Sequence, residues 1–363
     1  MVDATALEQT IAETIDALMA ALAPLGFVAR HLHPGDMEAV LEAVGAPDEA
    51  LEAAFTRFRT ATWPPQLASF CAQVERAVDA TLEAWGGLRI AAVGGDVRRA
   101  YRALRSETRA QEALFPLVRV IPQVSQFFLD ADQREDAALN ADLALGQAKP
   151  NRGVLHAEND EKQRGGFSLF VPEDTRDGEA RPLVVALHGG SGHGRSFLWN
   201  WVRTARSRGL IVAAPTSVGG TWALAGEDLD TPNIGRMVEF IAERWPVDRS
   251  RMMLTGMSDG GTFTLLSGLM GDSRYTHLAP FAASFHPILI EMSERGRMAG
   301  LPIHLVHGGL DWMFPVDVAR TAHRAFRAVG ADVTYVEVDD LSHTYPRDLQ
   351  PGLVDWFLKE RAR

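Results

Sequence analysis

The chain has 363 residues and a formal net charge of −11, with 46% hydrophobic and 23% charged residues. Its length fits two domains, and its composition is that of a globular protein. The acidic balance argues against nucleic acid as a partner and gives no reason to expect binding to an anionic membrane surface. The single cysteine, Cys71, excludes an intramolecular disulfide and a cysteine-based metal cage.

The N-terminal segment 1–26 is apolar but lacks the basic region that opens a signal peptide, and it carries Asp3, Glu8, Glu13 and Asp16. Its pattern predicts an amphipathic helix. No run of the sequence approaches 18 uninterrupted apolar residues, which is the usual sign of a membrane-spanning helix. We therefore expect a cytoplasmic protein that has no membrane partner.

Residues 1–148 are predicted to form an all-helical domain. The first helix has an apolar stripe with spacings of four and three residues, formed by Leu7, Ile11, Ile15, Leu18 and Leu22. Further helices are predicted at 37–44, from Pro47 onward, and around 65–85, 96–114 and 123–147. The next stretch, 149–166, is rich in glycine and charge and is interpreted as a linker leading into a first strand.

Residues 167–363 alternate between short apolar runs and helical patterns. This alternation predicts an α/β domain with a mostly parallel sheet covered by helices on both faces. The expected strands are 167–171, 183–187, 210–214, 252–256, 281–285, 302–306 and 333–338.

The strand predicted at 252–256 runs into Gly256-Met257-Ser258-Asp259-Gly260, a G-x-S-x-G pattern between a strand and a helix. In this context the serine stands on a sharp turn above the sheet, and glycines are needed on either side because side chains would collide. The following helix points its free N–H groups toward the serine oxygen. The pattern therefore predicts that Ser258 is a catalytic nucleophile.

A glycine-rich loop, residues 188–194 with sequence HGGSGHG, follows the strand at 183–187. Such a loop and the residue after the nucleophile can together supply N–H groups to an oxyanion, which nominates Gly190 and Asp259. Nucleotide binding is the rival interpretation, but neither G-x-G-x-x-G nor a lysine followed by serine or threonine is present. His188 and His193 are open to metal binding or, for His188 in particular, to a structural hydrogen bond.

A serine nucleophile needs a base that a third group holds in place, in the chain order serine, acid, histidine. Asp311 follows the strand predicted at 302–306, and His343 follows the last strand, so both should lie at the sheet edge that carries Ser258. The rival acids are Asp317, expected in the first turn of a helix, and Asp339 and Asp340, beside the histidine. The other histidines of this region are expected to be buried (His304) or solvated (His323).

Together these residues resemble the phospholipase/carboxylesterase group of α/β-hydrolases and its relatives that resemble polyhydroxybutyrate depolymerases and feruloyl esterases. The resemblance rests on Phe167-Ser-Leu-Phe-Val-Pro, His188-Gly-Gly, Gly256-Met-Ser-Asp-Gly-Gly, His307-Gly-Gly-Leu-Asp and His343-Thr-Tyr-Pro. It covers 166–360 and implies an α/β-hydrolase fold that hydrolyses carboxylic esters without a cofactor or metal. The family often has two glycines before the catalytic histidine, where this chain has Leu341-Ser342.

We therefore expect a serine carboxylesterase that acts on small to medium esters through an acyl-enzyme. Candidate substrate contacts are Ser191, Trp222, His286 and Trp312, which follow predicted strands at the active edge or lie in its loops. A serine peptidase or amidase, and a non-catalytic binding protein on the same fold, remain alternatives. Three hypotheses are open for the role of the helical domain: it forms a cap over the active site, a homo-oligomer interface, or a binding surface for another macromolecule.

Overall fold

The computed structural model describes residues 4–146, 151–176 and 178–359. The chain divides into two compact units, Met1–Leu129 and Asp130–Arg363. Asp130 belongs to the second unit because its buried carboxylate accepts hydrogen bonds from Thr204 Oγ1 at 2.9 Å and Arg208 Nε at 3.5 Å. A domain boundary at 148 stays a prediction.

The first unit is all helical. Trp85 Nε1 donates to the carbonyl of Ala21 at 2.9 Å, and Arg89 pairs with the buried carboxylate of Asp48, so the helix that carries both side chains is tied to two others. The helices are α1 Ala4–Arg30, α2 Met37–Val44, α3 Pro47–Thr60, α4 Ala68–Val93, α5 Val97–Leu114 and α6 Pro122–Phe127, with 3₁₀ turns at Pro65–Leu67 and Phe115–Arg119.

The single helix predicted over 123–147 is wrong. The chain forms α6, then a 3₁₀ turn at Ala131–Gln133, then α7 Ala137–Gly146. The break falls at Leu129 and Asp130, where Ser207 Oγ accepts the N–H of Asp130 at 2.7 Å. A backbone N–H that bonds a distant side chain is lost to the helix ladder.

Within the described residues, one helix is long and apolar enough to cross a membrane by length and composition alone, namely α1. The core helix of a globular unit passes the same test. The residues of α1 that are buried include Ile15, Leu18 and Leu25. The absence of a membrane partner stays a prediction.

The second unit is built on one eight-stranded sheet with the order β1-β2-β4-β3-β5-β6-β7-β8. Strand β2 pairs antiparallel with β1 on one side and with β4 on the other. The remaining pairs, β4–β3, β3–β5, β5–β6, β6–β7 and β7–β8, are parallel. The strands are β1 Gly153–Ala157, β2 Phe167–Val171, β3 Arg181–Leu187, β4 Ile211–Pro215, β5 Val247–Met257, β6 His277–Phe281, β7 Pro302–Gly308 and β8 Asp332–Val338.

Helices connect the parallel strands, and the predicted α/β class is confirmed. Strands β2, β4, β6 and β7 are buried along their whole length, because the sheet is covered on both faces. The helices of this unit that follow α7 are α8 Gly194–Phe197, α9 Val202–Arg208, α10 Asp230–Ala242, α11 Asp259–Gly268, α12 Ile288–Met292, α13 Arg295–Met298, α14 Asp317–Ala328 and α15 Gln350–Leu358, with 3₁₀ turns at Leu198–Asn200 and Arg347–Leu349.

Two strand expectations need correction. The stretch 149–166, predicted to be a linker, contains the edge strand β1, which pairs with β2. The strand predicted at 281–285 lies four residues earlier, as β6. Pro280 inside β6 argues against a central strand from sequence alone, yet β6 pairs on both sides. The strand stops at Phe281 because Ala282 has φ 44° and turns the chain away.

Candidate active site

Ser258 stands at the sharp turn between β5 and α11. Its backbone has φ 56° and ψ −120°, a region that non-glycine residues rarely adopt. The Ser258 N–H donates to the carbonyl of Phe281, at the end of the neighbouring strand, at 2.9 Å. The serine is 7% exposed. The surroundings hold a strained turn that presents one hydroxyl at the sheet edge, as a nucleophile elbow requires.

The glycines on either side of Ser258 are required by close backbone contact. A Cβ on Gly260 would collide with the carbonyl oxygens of Leu187 and His188, and a Cβ on Gly256 would collide with the carbonyl of Gly260. The first turn of α11 therefore packs against the end of β3 with no room for a side chain. The predicted reason for the G-x-S-x-G pattern is confirmed in the structure.

Asp311 is an acid held by hydrogen-bond donors on both oxygens. Its Oδ1 accepts the N–H groups of Met313 and Phe314, each at 2.9 Å, and its Oδ2 accepts from His343 Nδ1 at 2.8 Å. Burial alone would raise the pKa of this carboxyl. The hydrogen bond and positive field of His343, with the Phe314 N–H, outweigh burial and hold the pKa below its usual value. Asp311 is therefore an ionised acid that orients a histidine.

The chain after β8 crosses back over the sheet edge toward Ser258. At its start the carbonyl of Leu341 accepts the Leu310 N–H at 3.0 Å, above the end of β7. Further on, the Tyr345 ring lies 4.7 Å from the ring of Phe281, the residue that receives the Ser258 N–H. His343 lies between these two contacts. His343 is 4% exposed. It belongs to the segment that leads from Asp311 toward β6, the strand whose last residue accepts the Ser258 N–H.

The loop after β3 faces the elbow. An ideal Cβ on Gly189 would lie 3.5 Å from Ser258 Cβ, and one on Gly190 would lie 2.6 Å from Asp259 Oδ2. The Gly192 N–H donates to the carbonyl of Gly189 at 3.0 Å and closes the turn. Two consecutive glycines thus bring the loop backbone against the serine and the residue after it. Asp259 is also the first residue of α11, so its N–H has no intrahelical acceptor.

His188 has a structural role that uses both ring nitrogens. Nδ1 donates to the carbonyl of Gly189 at 2.7 Å, and Nε2 accepts the Ser217 N–H at 3.1 Å. Its own carbonyl accepts from Trp222 Nε1 at 2.7 Å. The two bonds fix a neutral ring with the proton on Nδ1. Of the two open interpretations, the structural hydrogen bond is the one the structure supports.

His193 caps the N-terminus of α8. Its Nδ1 accepts the Arg195 N–H at 3.2 Å, and its Nε2 donates to the carbonyl of Gln163 at 2.8 Å. Burial, with the charges of Arg164 and Arg195, lowers the pKa of this imidazole despite the bond to Gln163. Across residues 4–146, 151–176 and 178–359, no group of three or more His, Cys, Asp or Glu side chains is placed to hold a metal ion.

The rival acids are exposed, whereas the histidines His304 and His323 are buried to different degrees. Asp317 opens α14 and accepts from Arg320 Nη1 at 3.0 Å, which is the predicted first-turn role. Asp339 and Asp340 are exposed after β8. His304 is 8% exposed within β7, and burial lowers its pKa to about 4, as expected of a buried histidine. His323 stacks on Tyr335 with ring centroids 5.1 Å apart, so the expectation of a solvated ring is only partly met.

The four candidate substrate contacts differ in exposure. Trp222 is 2% exposed and stacks on Phe263 with ring centroids 5.4 Å apart, so it packs under the loop. Trp312 is half-buried, and Ser191 is exposed with φ 55°. His286 is exposed and lies five residues past the end of β6, because that strand ends earlier than predicted. The role of all four in substrate binding stays a prediction.

Three positioning residues escaped the sequence analysis. Arg164 donates to the carbonyl of Gly192 at 2.8 Å and to that of Ser217 at 3.1 Å, which ties the loop after β3 to the loop after β4. Thr221 Oγ1 donates to Asp259 Oδ2 at 2.6 Å. His307 Nε2 donates to the carbonyl of Phe314 at 2.9 Å and lies 3.4 Å from Asp311 Oδ2. Of these, only His307 had a signal, since it begins the motif that ends in Asp311.

The mostly parallel sheet and the strand-to-helix elbow at Ser258 are those of the α/β-hydrolase fold. A family model described as phospholipase/carboxylesterase matches residues 230–350. This match confirms the family resemblance for that part of the chain, from α10 through the histidine loop.

A curated relative and two solved structures are also similar to this chain. The relative is the bifunctional acetylxylan esterase/xylanase XynS20E of Neocallimastix patriciarum, 27% identical over 154 residues, which cover 41% of this chain and 22% of that protein. The thermophilic esterase Est2 of Thermogutta terrifontis is 19% identical with TM-score 0.47, over 58% of this chain and 92% of that chain. Serine hydrolase FphF of Staphylococcus aureus is 14% identical with TM-score 0.45, over 57% of this chain and 98% of that chain.

Proposed function

We propose that this protein is a serine carboxylesterase that hydrolyses small to medium carboxylic esters through an acyl-enzyme at Ser258. The observation that carries the proposal is the strained, buried serine on the same sheet edge as an acid–histidine pair joined at 2.8 Å. Strain of this kind persists only where the surroundings enforce it, and it clusters at active sites. The match to the phospholipase/carboxylesterase family over 230–350 supports the same reaction class.

In the first half-reaction, Ser258 Oγ attacks the ester carbonyl carbon while His343 Nε2 takes the hydroxyl proton. The carbonyl oxygen becomes an oxyanion, which the N–H groups of Gly190 and Asp259 stabilise. Donors of this kind are each worth about 10²–10³-fold in rate. When the tetrahedral intermediate collapses, the bond to the alkoxy oxygen breaks, and His343 returns the proton to the departing alcohol. The acyl group remains on Ser258.

In the second half-reaction, His343 takes a proton from water, and the resulting hydroxide equivalent attacks the acyl-enzyme carbonyl. Collapse of the second intermediate releases the carboxylic acid and returns the proton to Ser258 Oγ. Asp311 keeps its charge throughout. It holds the His343 proton on Nδ1, so that Nε2 is the acceptor, and it stabilises the imidazolium that forms in each step.

The test is fluorophosphonate labelling together with turnover of a panel of esters, including acetyl esters of polyhydroxylated alcohols because of the acetylxylan esterase relative. We expect wild type to label and to turn over esters, and Ser258→Ala to do neither. The matched control is Ser250→Ala, because Ser250 lies earlier on β5, is exposed and has a hydrogen-bonded hydroxyl. Labelling that survives in Ser258→Ala, or wild type that hydrolyses none of the esters, overturns the proposal.

A further inference from the structure

We propose that the Asp259 side chain selects esters that carry a hydrogen-bond donor near the scissile carbonyl, a hydroxyl or an ammonium group, and rejects esters with a carboxylate there. This inference rests on the proposed function. The Asp259 carboxylate lies against the loop after β3, a contact that the proposed triad does not use. The N–H of Asp259 is assigned to the oxyanion, and the carboxylate of the same residue lies against Gly190, the other proposed donor. An ideal Cβ on Gly190 would lie 2.6 Å from Asp259 Oδ2.

The carboxylate is held there by a dedicated contact. Thr221 Oγ1 donates to Asp259 Oδ2 at 2.6 Å, and Thr221 comes from the loop after β4. That loop is itself fixed, because the buried carboxylate of Asp230 accepts the N–H groups of Val218 at 2.8 Å and Ala223 at 2.9 Å. Asp259 therefore cannot swing away freely, although it is half-buried and remains open to solvent at one side.

A fixed negative charge beside an oxyanion hole opposes catalysis when the substrate has no hydrogen-bond donor or cation to place against that charge. The transition state gathers negative charge on the carbonyl oxygen, and like charges at short range in a partly desolvated site repel strongly. The repulsion is relieved when the substrate brings a donor or a cation to the carboxylate, since charge-assisted hydrogen bonds are the strong ones. A substrate carboxylate at the same place would add a second repulsion.

The loop after β4, which supplies Thr221, carries further carboxylates along its length. The loop that carries Thr221 continues through Glu227 and Asp228, which follow on the way to α10, and Asp230 is the first residue of that helix. Arg164 donates to the carbonyls of Gly192 and Ser217 and to the Ser217 hydroxyl, and it keeps a positive charge near Asp230. The Asp259 carboxylate itself, held against Gly190, is therefore the group that favours neutral or cationic donors over anions.

The experiment compares kcat/KM by pH-stat titration for four matched esters. Methyl butyrate has no donor, methyl 3-hydroxybutyrate has a donor on the acyl side, 2-hydroxyethyl butyrate has a donor on the alcohol side, and monomethyl succinate has an anion. Wild type is expected to prefer at least one donor-bearing ester over methyl butyrate by about tenfold or more, the size of a hydrogen bond to a charged group. The preferred ester identifies which side of the substrate reaches Asp259.

Asp259→Asn keeps the shape and removes the charge. We expect it to accelerate methyl butyrate, to lower the preference for the donor-bearing ester by about tenfold and to improve monomethyl succinate by about as much. Thr221→Val should change the preference in the same direction by less, and it provides the test if Asp259→Asn does not fold. The control, Asp317→Asn, removes the same charge from the first residue of another helix and should leave the preference unchanged.

The outcomes separate the two proposals. If wild type hydrolyses methyl butyrate but the preferences are equal in wild type, Asp259→Asn and Thr221→Val, the selection inference is overturned and the esterase proposal stands. A lower melting temperature with unchanged preferences has the same meaning, because it shows a role limited to the start of α11. If wild type hydrolyses none of the four esters and does not label with fluorophosphonate, the esterase proposal fails first.

Discussion

Replacing Asp311 by asparagine exchanges one oxygen for an amide nitrogen, and the structure determines which one. Oδ1 accepts two backbone N–H groups at 2.9 Å, so the amide oxygen of asparagine must remain there. The amide nitrogen then faces Nδ1 of His343, where Oδ2 accepted a hydrogen bond at 2.8 Å. Nδ1 becomes the acceptor, and its proton moves to Nε2. The base then carries a proton on the atom that must receive one from Ser258.

We expect this variant to lose about 10⁴-fold in kcat, the size of the same exchange in a serine protease, which corresponds to about 5 kcal/mol of activation free energy. The assay is ester hydrolysis under saturating substrate, with fluorophosphonate labelling as a second readout. The matched controls are Asp317→Asn and Asp339→Asn, the rival acids, which should keep full activity. If Asp311→Asn keeps more than about a tenth of kcat, or if a rival variant shows the large loss, the assignment of the acid is wrong.

The same variant has a stability signature. Because the pKa of Asp311 lies below its usual value, the charge stabilises the fold above the unfolded pKa of about 4, and this contribution is lost as the pH falls through the folded pKa. Wild type should therefore exceed Asp311→Asn in unfolding free energy at pH 7, and the difference should narrow below about pH 4. A difference that widens on acidification would contradict the stated cause of the pKa shift.

Further predictions concern single contacts. His307→Phe leaves the Phe314 carbonyl without its donor, so we expect a loss of about 1–3 kcal/mol in unfolding free energy and a lower kcat at similar KM; full kcat would refute a positioning role. Gly260→Ala should lower the free energy of unfolding by about 1–3 kcal/mol or more, measured by urea unfolding, whereas Gly352→Ala, with open space around it, should not. Burial lowers the pKa of His304 to about 4, so wild type should lose up to about 3 kcal/mol relative to His304→Gln between pH 6.5 and 4, measured by urea unfolding; parallel curves would refute it.

Local patterns in the sequence were sufficient for most strands, and they predicted the order of the proposed catalytic groups along the chain. Strand β2 lies where its apolar run predicts it, and the elbow follows β5 as the G-x-S-x-G pattern requires. Alternating strands and helices imply one parallel sheet, and the carboxyl ends of parallel strands share an edge. Ser258, Asp311 and His343 are therefore expected on loops at the same edge of the sheet, from the topology alone and without any distance.

The tertiary structure decided what depends on contacts between distant residues. The ends of β6 could not be read locally, because Pro280 opposes a strand that pairing on both sides enforces. The helix predicted across Leu129 and Asp130 breaks because a distant serine takes a backbone N–H. The place of the Asp259 carboxylate against Gly190 depends on Thr221, 38 residues away. The sequence by itself determined that Ser258 follows a strand and precedes a helix, and it predicted Asp311 and His343 as partners. Only the packed loops decided which charges surround these residues, since periodicity records local faces and not long-range contacts.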